Sequence, residues 1–334
     1  ISNSKVDNMI KEHLIVAPNF VLEPLYKILK FLAENLRKEN IFNPFSHLIK
    51  RPISADRDVK NFFQNNNQRI KLSQSDLDKG YKILKEMGVK NNNYVCLAVR
   101  DENYLNKMEP RGDWSYHDYR NGNINNYLEA ADELTKRGYY VLRMGKNNKI
   151  KFETNNPMII DYSFSKYQSD FMDIFLGGNC SFCISTGFGF DAIPYVFRRP
   201  IGYVYAPLGY LFSFTQNSTA IFKKYYSLSD NRFLKINEIF TSELAFVVAG
   251  NILQQKKIKL VENTSEEIKD LAVEMDEKLR NNWSITDDKL LQNKFWDTYL
   301  HYVKKYNKEN LHGKINMEIC NNFLKTNKNI LIND

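Results

Sequence analysis

The feature that most constrains this chain is an alternation that begins at Tyr94. Residues 94–99 form an unbroken apolar run, Tyr-Val-Cys-Leu-Ala-Val, with the length and continuity of a strand buried on both faces. Residues 124–137 then place Ile124, Tyr127, Leu128, Ala131 and Leu134 at helical spacing, and Gly138 closes that helix. Residues 139–144, 158–161 and 181–185 read as further strands, a helix runs through Phe197, and residues 201–205 give one more strand. Strands separated by helices predict a parallel, doubly wound α/β sheet.

Either side of this block the pattern differs. Residues 13–19 read as a short buried strand, and residues 24–38 as a helix with Leu25, Ile28, Leu29, Leu32 and Leu36 inward. A proline-containing loop at 43–54 follows, then a helix at 75–87 stopped by Gly88, then a polar linker at 90–93. The last seventy residues read as helical, opening with the capping-box spacing Thr264-Ser-Glu-Glu267 and a stripe of Ile268, Leu271, Met275 and Leu279. The expected division is therefore 1–90, 91–260 and 261–334.

Composition narrows the function classes. The chain has 334 residues, 43% apolar and 13% aromatic, which excludes disorder and a disulfide scaffold and gives room for two domains. The net charge of +8 comes from lysines spread along the chain, with no helix-turn-helix, zinc-finger or RNA-binding signature, so no nucleic-acid partner is expected. No apolar run approaches the roughly 18–20 residues of a membrane span. A soluble, cytoplasmic protein is expected, with peripheral contact with the inner membrane left open; the first residue is Ile1, so the start is left open too. Cys96, Cys180, Cys183 and Cys320 lack a second Cys/His pair at ligand spacing and read as buried thiols.

In a parallel sheet, ligands collect at the carboxyl ends of the strands. Four such ends carry polar residues: Arg100-Asp101, Arg143-Met-Gly145-Lys146, Asp161-Tyr162 and Ser185-Thr186-Gly187. The last group is either a cradle for a diphosphate or an ordinary helix cap. Arg100 and Asp101 are either substrate groups or a structural ion pair. Residues 102–123 form a long polar and aromatic segment with Tyr104, Arg111, Asp113, Trp114, His117, Arg120 and Asn121; segments of that length are usually functional or disordered, and the concentration of Arg, Trp, His and Tyr argues against disorder. His117 is either a proton acceptor or a ring stacked among Trp114 and Tyr119. No His-rich cluster and no Asp-x-Asp at a strand end suggests a metal, and no cofactor is expected.

Taken together, Arg100-Asp101-Glu-Asn-Tyr104-Leu105, His117-Asp-Tyr119-Arg120-Asn121, residues 138–145, Ile160-Asp161-Tyr162-Ser163, Ser169-Asp170-Phe-Met-Asp173, Ser185-Thr186-Gly187 and Asn322-Phe323-Leu324 resemble a family of bacterial glycosyltransferases found with surface-polysaccharide genes. A weaker likeness reaches the fucosyltransferase-type enzymes, where a strand-end arginine and Ser/Thr groups hold the donor diphosphate; Arg100 and Ser185-Thr186 match. The resemblance implies a GT-B-like fold, two Rossmann-like domains facing a cleft. It implies an acceptor-side domain over 1–90, here short and without the usual glycine-rich loop, a nucleotide-sugar domain over 91–260, and helices over 261–334 packing across both.

The implied partners are a nucleotide-diphosphate sugar and a saccharide or lipid-linked acceptor. The implied donor-binding residues are Arg100, Arg120, Asn121, Arg143, Gly145, Lys146, Asp161, Tyr162, Ser185, Thr186 and Gly187. His117, Asp101 and Arg100 are the implied catalytic groups, with no metal required. The rival class is a nucleotide-binding α/β protein such as an epimerase or a regulatory module. Hydride transfer is disfavoured because no Gly-x-Gly-x-x-Gly turn follows a strand.

Overall fold

The computed structural model describes residues 70–211, 218–281, 288–308 and 315–332, with Pro24 alone before them. The expected strand at 13–19, the loop at 43–54 and, apart from Pro24, which is helical, the expected helix at 24–38 lie outside the described residues. By compactness the chain divides into Ile1–Arg57 and Asp58–Asp334. Every described residue except Pro24 belongs to the second unit.

That unit is built on seven parallel strands: β1 (Tyr94–Ala98), β2 (Tyr140–Arg143), β3 (Ile159–Ile160), β4 (Cys183–Ser185), β5 (Ile201–Tyr205), β6 (Thr219–Phe222) and, after three strands of a second sheet, β10 (Glu318–Ile319). Their order across the sheet is β10-β6-β5-β4-β1-β2-β3. Register places Tyr94 opposite Tyr140 and Cys96 opposite Cys183. Strands β1, β2 and β4 are buried at every residue, which is why they read as continuous apolar runs rather than alternating ones. The second sheet is antiparallel, β8 (Arg232–Phe233), β7 (Lys224–Ser227) and β9 (Ile258–Val261) in that order.

Helices cover the parallel sheet as the doubly wound pattern requires. α1 (Gln74–Glu86) starts at Ser73, whose hydroxyl accepts the Asp76 N–H at 3.1 Å, and stops at Gly88, φ +94°. It packs on the sheet's own helices: a Cβ on Gly80 would lie 2.1 Å from the Phe175 ring, so α1 can approach only because that residue is glycine. α2 (Asn103–Met108) and α3 (Leu128–Lys136) follow β1, α4 (Asp170–Asn179) follows β3, and the short α5 (Ala192–Val196) follows β4. α6 (Ile236–Thr241) and α7 (Gly250–Gln255) flank the second sheet.

α8 (Ser265–Leu279) lies against β5, β6 and α3, and its capping box forms as the sequence predicts: Thr264 Oγ1 accepts the Glu267 N–H at 3.2 Å and Glu267 Oε2 accepts the Thr264 N–H at 3.1 Å. α9 (Asp288–Lys305), α10 (Asn321–Thr326) and α11 (Lys328–Leu331) complete the described helices.

The sequence reads the C-terminal stretch as helical, and the structure corrects this: β10 adds a seventh strand beside β6. Two residues are too few to show periodicity, so the pairing is fixed by distant groups. Gln292 Nε2 donates to the Ile319 carbonyl, and Gln292 Oε1 accepts the Ile319 N–H at 3.1 Å. Glu274 Oε2 accepts the Asn321 N–H at 2.8 Å. All four cysteines are free and buried. Among the described residues, no helix is long and apolar enough to cross a membrane.

Candidate functional site

Strands β1 to β3 run outward to one side of β1, while β4 to β6 run outward from β4 on the other. β1 and β4 are neighbours, so the crevice beyond their carboxyl ends is the switch point where an open α/β sheet places its ligand. Arg100 lies just past β1 and Ser185-Thr186-Gly187 at the end of β4. The two ends are tied together: Thr186 N–H donates to the Ala98 carbonyl at 3.1 Å, and Arg100 N–H donates to Thr186 Oγ1 at 2.9 Å.

The segment at 102–123 folds back over this crevice as α2 and a 3-10 helix, Ser115–Arg120. Arg100 Nη1 donates to the His117 carbonyl at 3.3 Å and to Asn121 Oδ1, while Arg120 Nη2 donates to the Gly187 carbonyl. Gly122 N–H returns to the Arg100 carbonyl at 3.0 Å. From the end of β6, Lys223 Nζ donates to the Asn121 carbonyl, with Glu262 Oε1 at 3.9 Å. Glu262 Oε2 also accepts the Asn123 N–H and an Asn126 amide proton, each at 3.0 Å.

Three cations therefore converge, two of them almost out of water: Arg100 is 8% exposed and Lys223 6%. Burial lowers the Arg100 pKa, and Arg120 lowers it further against Asp118. Burial likewise lowers that of Lys223, with Glu262 opposing and Arg100 adding to the effect. A cluster in which Arg120 lowers the proton affinity of Arg100, and Arg100 that of Lys223, favours an anion. Lys223 is one of 47 basic residues and is marked out only by its place just past β6, where its N–H donates to the Tyr205 carbonyl at 3.1 Å and its side chain is buried.

His117 stands at the edge of this cluster. Its ring lies tilted against that of Tyr116, centroids 4.0 Å apart, and Tyr116 in turn is tilted toward Trp114 at 6.3 Å, so His117 has an aromatic neighbour in Tyr116 rather than the Tyr119 that the sequence suggests. Nδ1 is nevertheless buried with no hydrogen-bond partner among the described residues. Burial, then Arg120 and Arg100, lower the imidazole pKa, so the ring is neutral at physiological pH. Asp101 does not hold Arg100; its carboxylate accepts the backbone N–H of Asn103 at 3.0 Å and of Lys149 at 2.7 Å.

The Ser185-Thr186-Gly187 turn closes on a residue that the sequence did not single out. Asp191 accepts the Ser185 hydroxyl on one oxygen and the Phe188 N–H at 3.0 Å on the other, and Ser185 Oγ accepts the Gly187 N–H at 3.1 Å. The N–H groups of Thr186, Gly187 and Phe188 are thus engaged within the protein, and α5 beyond them is only five residues long. What the turn offers a ligand is shape and the anchored Arg120, rather than a ring of open amides. Gly187 is required here: its φ is +80°, and a Cβ would lie 2.4 Å from the Tyr205 ring.

The remaining expected residues gather elsewhere. Arg143, 2% exposed, pairs with Asp161 Oδ2 at 3.2 Å and donates to the Ile150 carbonyl. Asp161 also accepts the Phe152 N–H at 2.7 Å and the Ser163 hydroxyl at 2.6 Å. Tyr162 is buried, its hydroxyl donating to Asp173 at 2.8 Å. Gly145 turns the chain at φ +131°, and Lys146 lies 3.4 Å from Asp170 near the surface. These groups knit the ends of β2 and β3 together and make no hydrogen bond to the Arg100 cluster.

Among the described residues, no group of three or more His, Cys, Asp or Glu is arranged to hold a metal ion. No family model and no curated protein matches the chain. Among solved structures, the crystal structure of the glycosyl transferase family 9 protein from Veillonella parvula DSM 2008 superposes with a TM-score of 0.41 at 11% identity, covering 64% of this chain and 54% of that one. The chain spans about half the length of that protein, and a likeness of this degree carries no weight for fold or activity.

Proposed function

We propose that this protein is a glycosyltransferase that moves a sugar from a nucleotide-diphosphate donor to a saccharide or lipid-linked acceptor. The observation that carries the reading is the gathering of Arg100, Arg120 and Lys223 at the switch point of a parallel sheet. As the bond from the anomeric carbon to the diphosphate oxygen breaks, its electrons move onto the leaving phosphate. Fixed cations in a water-poor crevice stabilise that charge without having to reorient. Arginine adds a fork that matches two phosphate oxygens at once. Thr186, whose hydroxyl accepts the Arg100 N–H, has its own proton to give to a phosphate oxygen.

The motif resemblance points the same way and supplies the rest of the reading: a GT-B arrangement in which residues 1–90 serve the acceptor, bacterial surface-glycan synthesis in the cytoplasm, and transfer without a required metal ion. EDTA then leaves transfer unchanged. In this reading His117 takes the acceptor's proton, since its buried Nδ1 is unpartnered and its ring neutral.

The test is a calorimetric screen of nucleoside diphosphates and their sugars, followed by a transfer assay with the donor that binds. Saturable binding that Arg100→Ala weakens, followed by transfer, supports the reading; absence of nucleotide binding overturns it, and binding without transfer or hydrolysis overturns the glycosyltransferase assignment. His117→Ala keeps donor affinity and loses turnover. Because the His117 pKa lies below its ordinary value near 6.5, turnover rises with pH through that lowered value and is flat above it. Near-wild-type turnover in the alanine variant across the pH range removes His117 from the mechanism.

A further inference from the structure

Asp191 is a fully engaged, half-buried carboxyl that phosphate binding does not itself require, and it sits at the base of the turn on which the anion site leans. Its two oxygens hold the Ser185 hydroxyl and the Phe188 N–H, and through Ser185 Oγ it also fixes the Gly187 N–H. The carbonyl of that same Gly187 anchors the Arg120 guanidinium. A three-link chain therefore runs from Asp191 through the turn to a cation of the crevice.

We propose that Asp191 is the positioning residue of the anion site: it sets the turn that aims Arg120, and it takes up a proton when an anion is bound there. The proposal rests on the reading of the Arg100, Arg120 and Lys223 cluster as a phosphate site. Burial raises the Asp191 pKa, and the Ser185 and Phe188 hydrogen bonds and, after them, the Arg120 charge oppose it, so the ionised carboxylate and a bound anion compete for the field of the same arginine. Once a phosphate occupies Arg120, that help is reduced and a second negative charge stands nearby, so the protonated carboxyl is favoured.

Burial already holds Asp191 at about 7, so the uptake falls in a range where it can be measured. The titratable groups around it are Arg120 from the Ser115–Arg120 turn, Tyr203 from β5 with Tyr195 and Tyr205 beside it, and Cys183 from β4. Burial drives the pKa values of Tyr203 and Cys183 well up, so neither of these supplies the proton near neutrality. It comes from solvent, and one carboxylate becomes one carboxylic acid.

A protonated Asp191 still holds the turn: it donates to Ser185 Oγ, which has two lone pairs, and its other oxygen accepts the Phe188 N–H. Asparagine has the same donor and acceptor arrangement and no charge to titrate. Asp191→Asn is thus a mimic of the anion-bound form, whereas Asp191→Ala removes the turn's support.

The experiment is titration calorimetry of the whole chain with inorganic pyrophosphate at pH 7 in two buffers of different ionisation enthalpy, repeated from pH 6 to 8. Wild type is expected to take up measurably more protons per anion bound than Asp191→Asn, with about half a proton as the ceiling at pH 7 for a carboxyl already half protonated, and the uptake of Asp191→Asn reports the ionisation of pyrophosphate itself. Asp191→Asn is expected to bind at pH 6 within about threefold of wild type, and Asp191→Ala to lose about tenfold or more. A purely structural carboxyl gives no excess proton uptake. Equal uptake in wild type and Asp191→Asn therefore overturns the proposal while leaving the phosphate site standing. If Asp191→Asn does not fold, wild-type uptake that follows pyrophosphate's own titration has the same force. No pyrophosphate binding by wild type overturns the phosphate site and the proposal together.

Discussion

Arg100 and Arg143 end neighbouring strands at the same edge of one sheet, and their surroundings could hardly differ more. Arg143 meets a carboxylate, Asp161, whose remaining lone pairs are filled by Phe152 N–H and the Ser163 hydroxyl. Arg100 meets neutral carbonyl oxygens, and its charged neighbours include Arg120 and Lys223. Burial, and after it Arg120, lowers its pKa, while Asp118, Tyr119 and Asp101 oppose them. The charge of Arg143 is cancelled inside the protein and holds it together. Among the described residues no carboxylate pairs directly with Arg100, whose guanidinium donates to neutral oxygens and so suits a ligand's anion.

The sharpest way to break the comparison is to remove each arginine. Arg143→Ala leaves Asp161 buried without its ion and should cost on the order of 3–5 kcal/mol, read as a lower denaturation midpoint. Anion affinity of the fraction that folds should be unchanged. Arg100→Ala should do the reverse, weakening nucleoside-diphosphate binding by about thirtyfold in calorimetry. Its stability should fall by less than that of Arg143→Ala, because what is lost is hydrogen bonds to neutral oxygens rather than the partner of a buried carboxylate. If Arg143→Ala weakened the ligand and Arg100→Ala only the fold, the assignment of the two sites would be inverted.

A smaller effect is expected at Gly187. Gly187→Ala forces a side chain into a left-handed backbone against the Tyr205 ring, at about 1–3 kcal/mol of strain. Stability and anion affinity should fall together, because the turn and Arg120 share the Gly187 carbonyl. The smallest effect should come from Lys146, whose pairing with Asp170 at 3.4 Å is 43% exposed on the lysine side. Lys146→Ala should change stability by under about 0.5 kcal/mol and leave donor binding untouched. A marked loss of affinity would extend the phosphate site toward β2.

Much of the sheet was legible because a strand buried on both faces announces itself locally. Residues 94–99, 139–144 and 201–205 each mark a strand to within a residue or two. β6, β7, β8 and β9 are not legible in the sequence, and β10 is lost among helices, because these strands hold their place by pairing that sequence order does not display. The site shows the same division. Arg100, Arg120, Asn121 and the Ser185-Thr186-Gly187 turn stand out as polar groups at strand ends and in the long segment, and the fold brings them together. Lys223 and Asp191 did not stand out, since the contacts that define them join residues far apart in the chain or depend on the turn's closure.

The position of β10 has a consequence for how the molecule is made. A ribosome releases β6 long before it reaches Glu318, so until that point the outer edge of β6 presents unpaired backbone groups of a strand that is otherwise fully buried. Such an edge is a template for pairing with another chain. Nascent chains stalled before β10 should therefore be aggregation-prone even with the Arg100 crevice already assembled, and a chaperone that shields an exposed strand edge should improve the yield of complete protein.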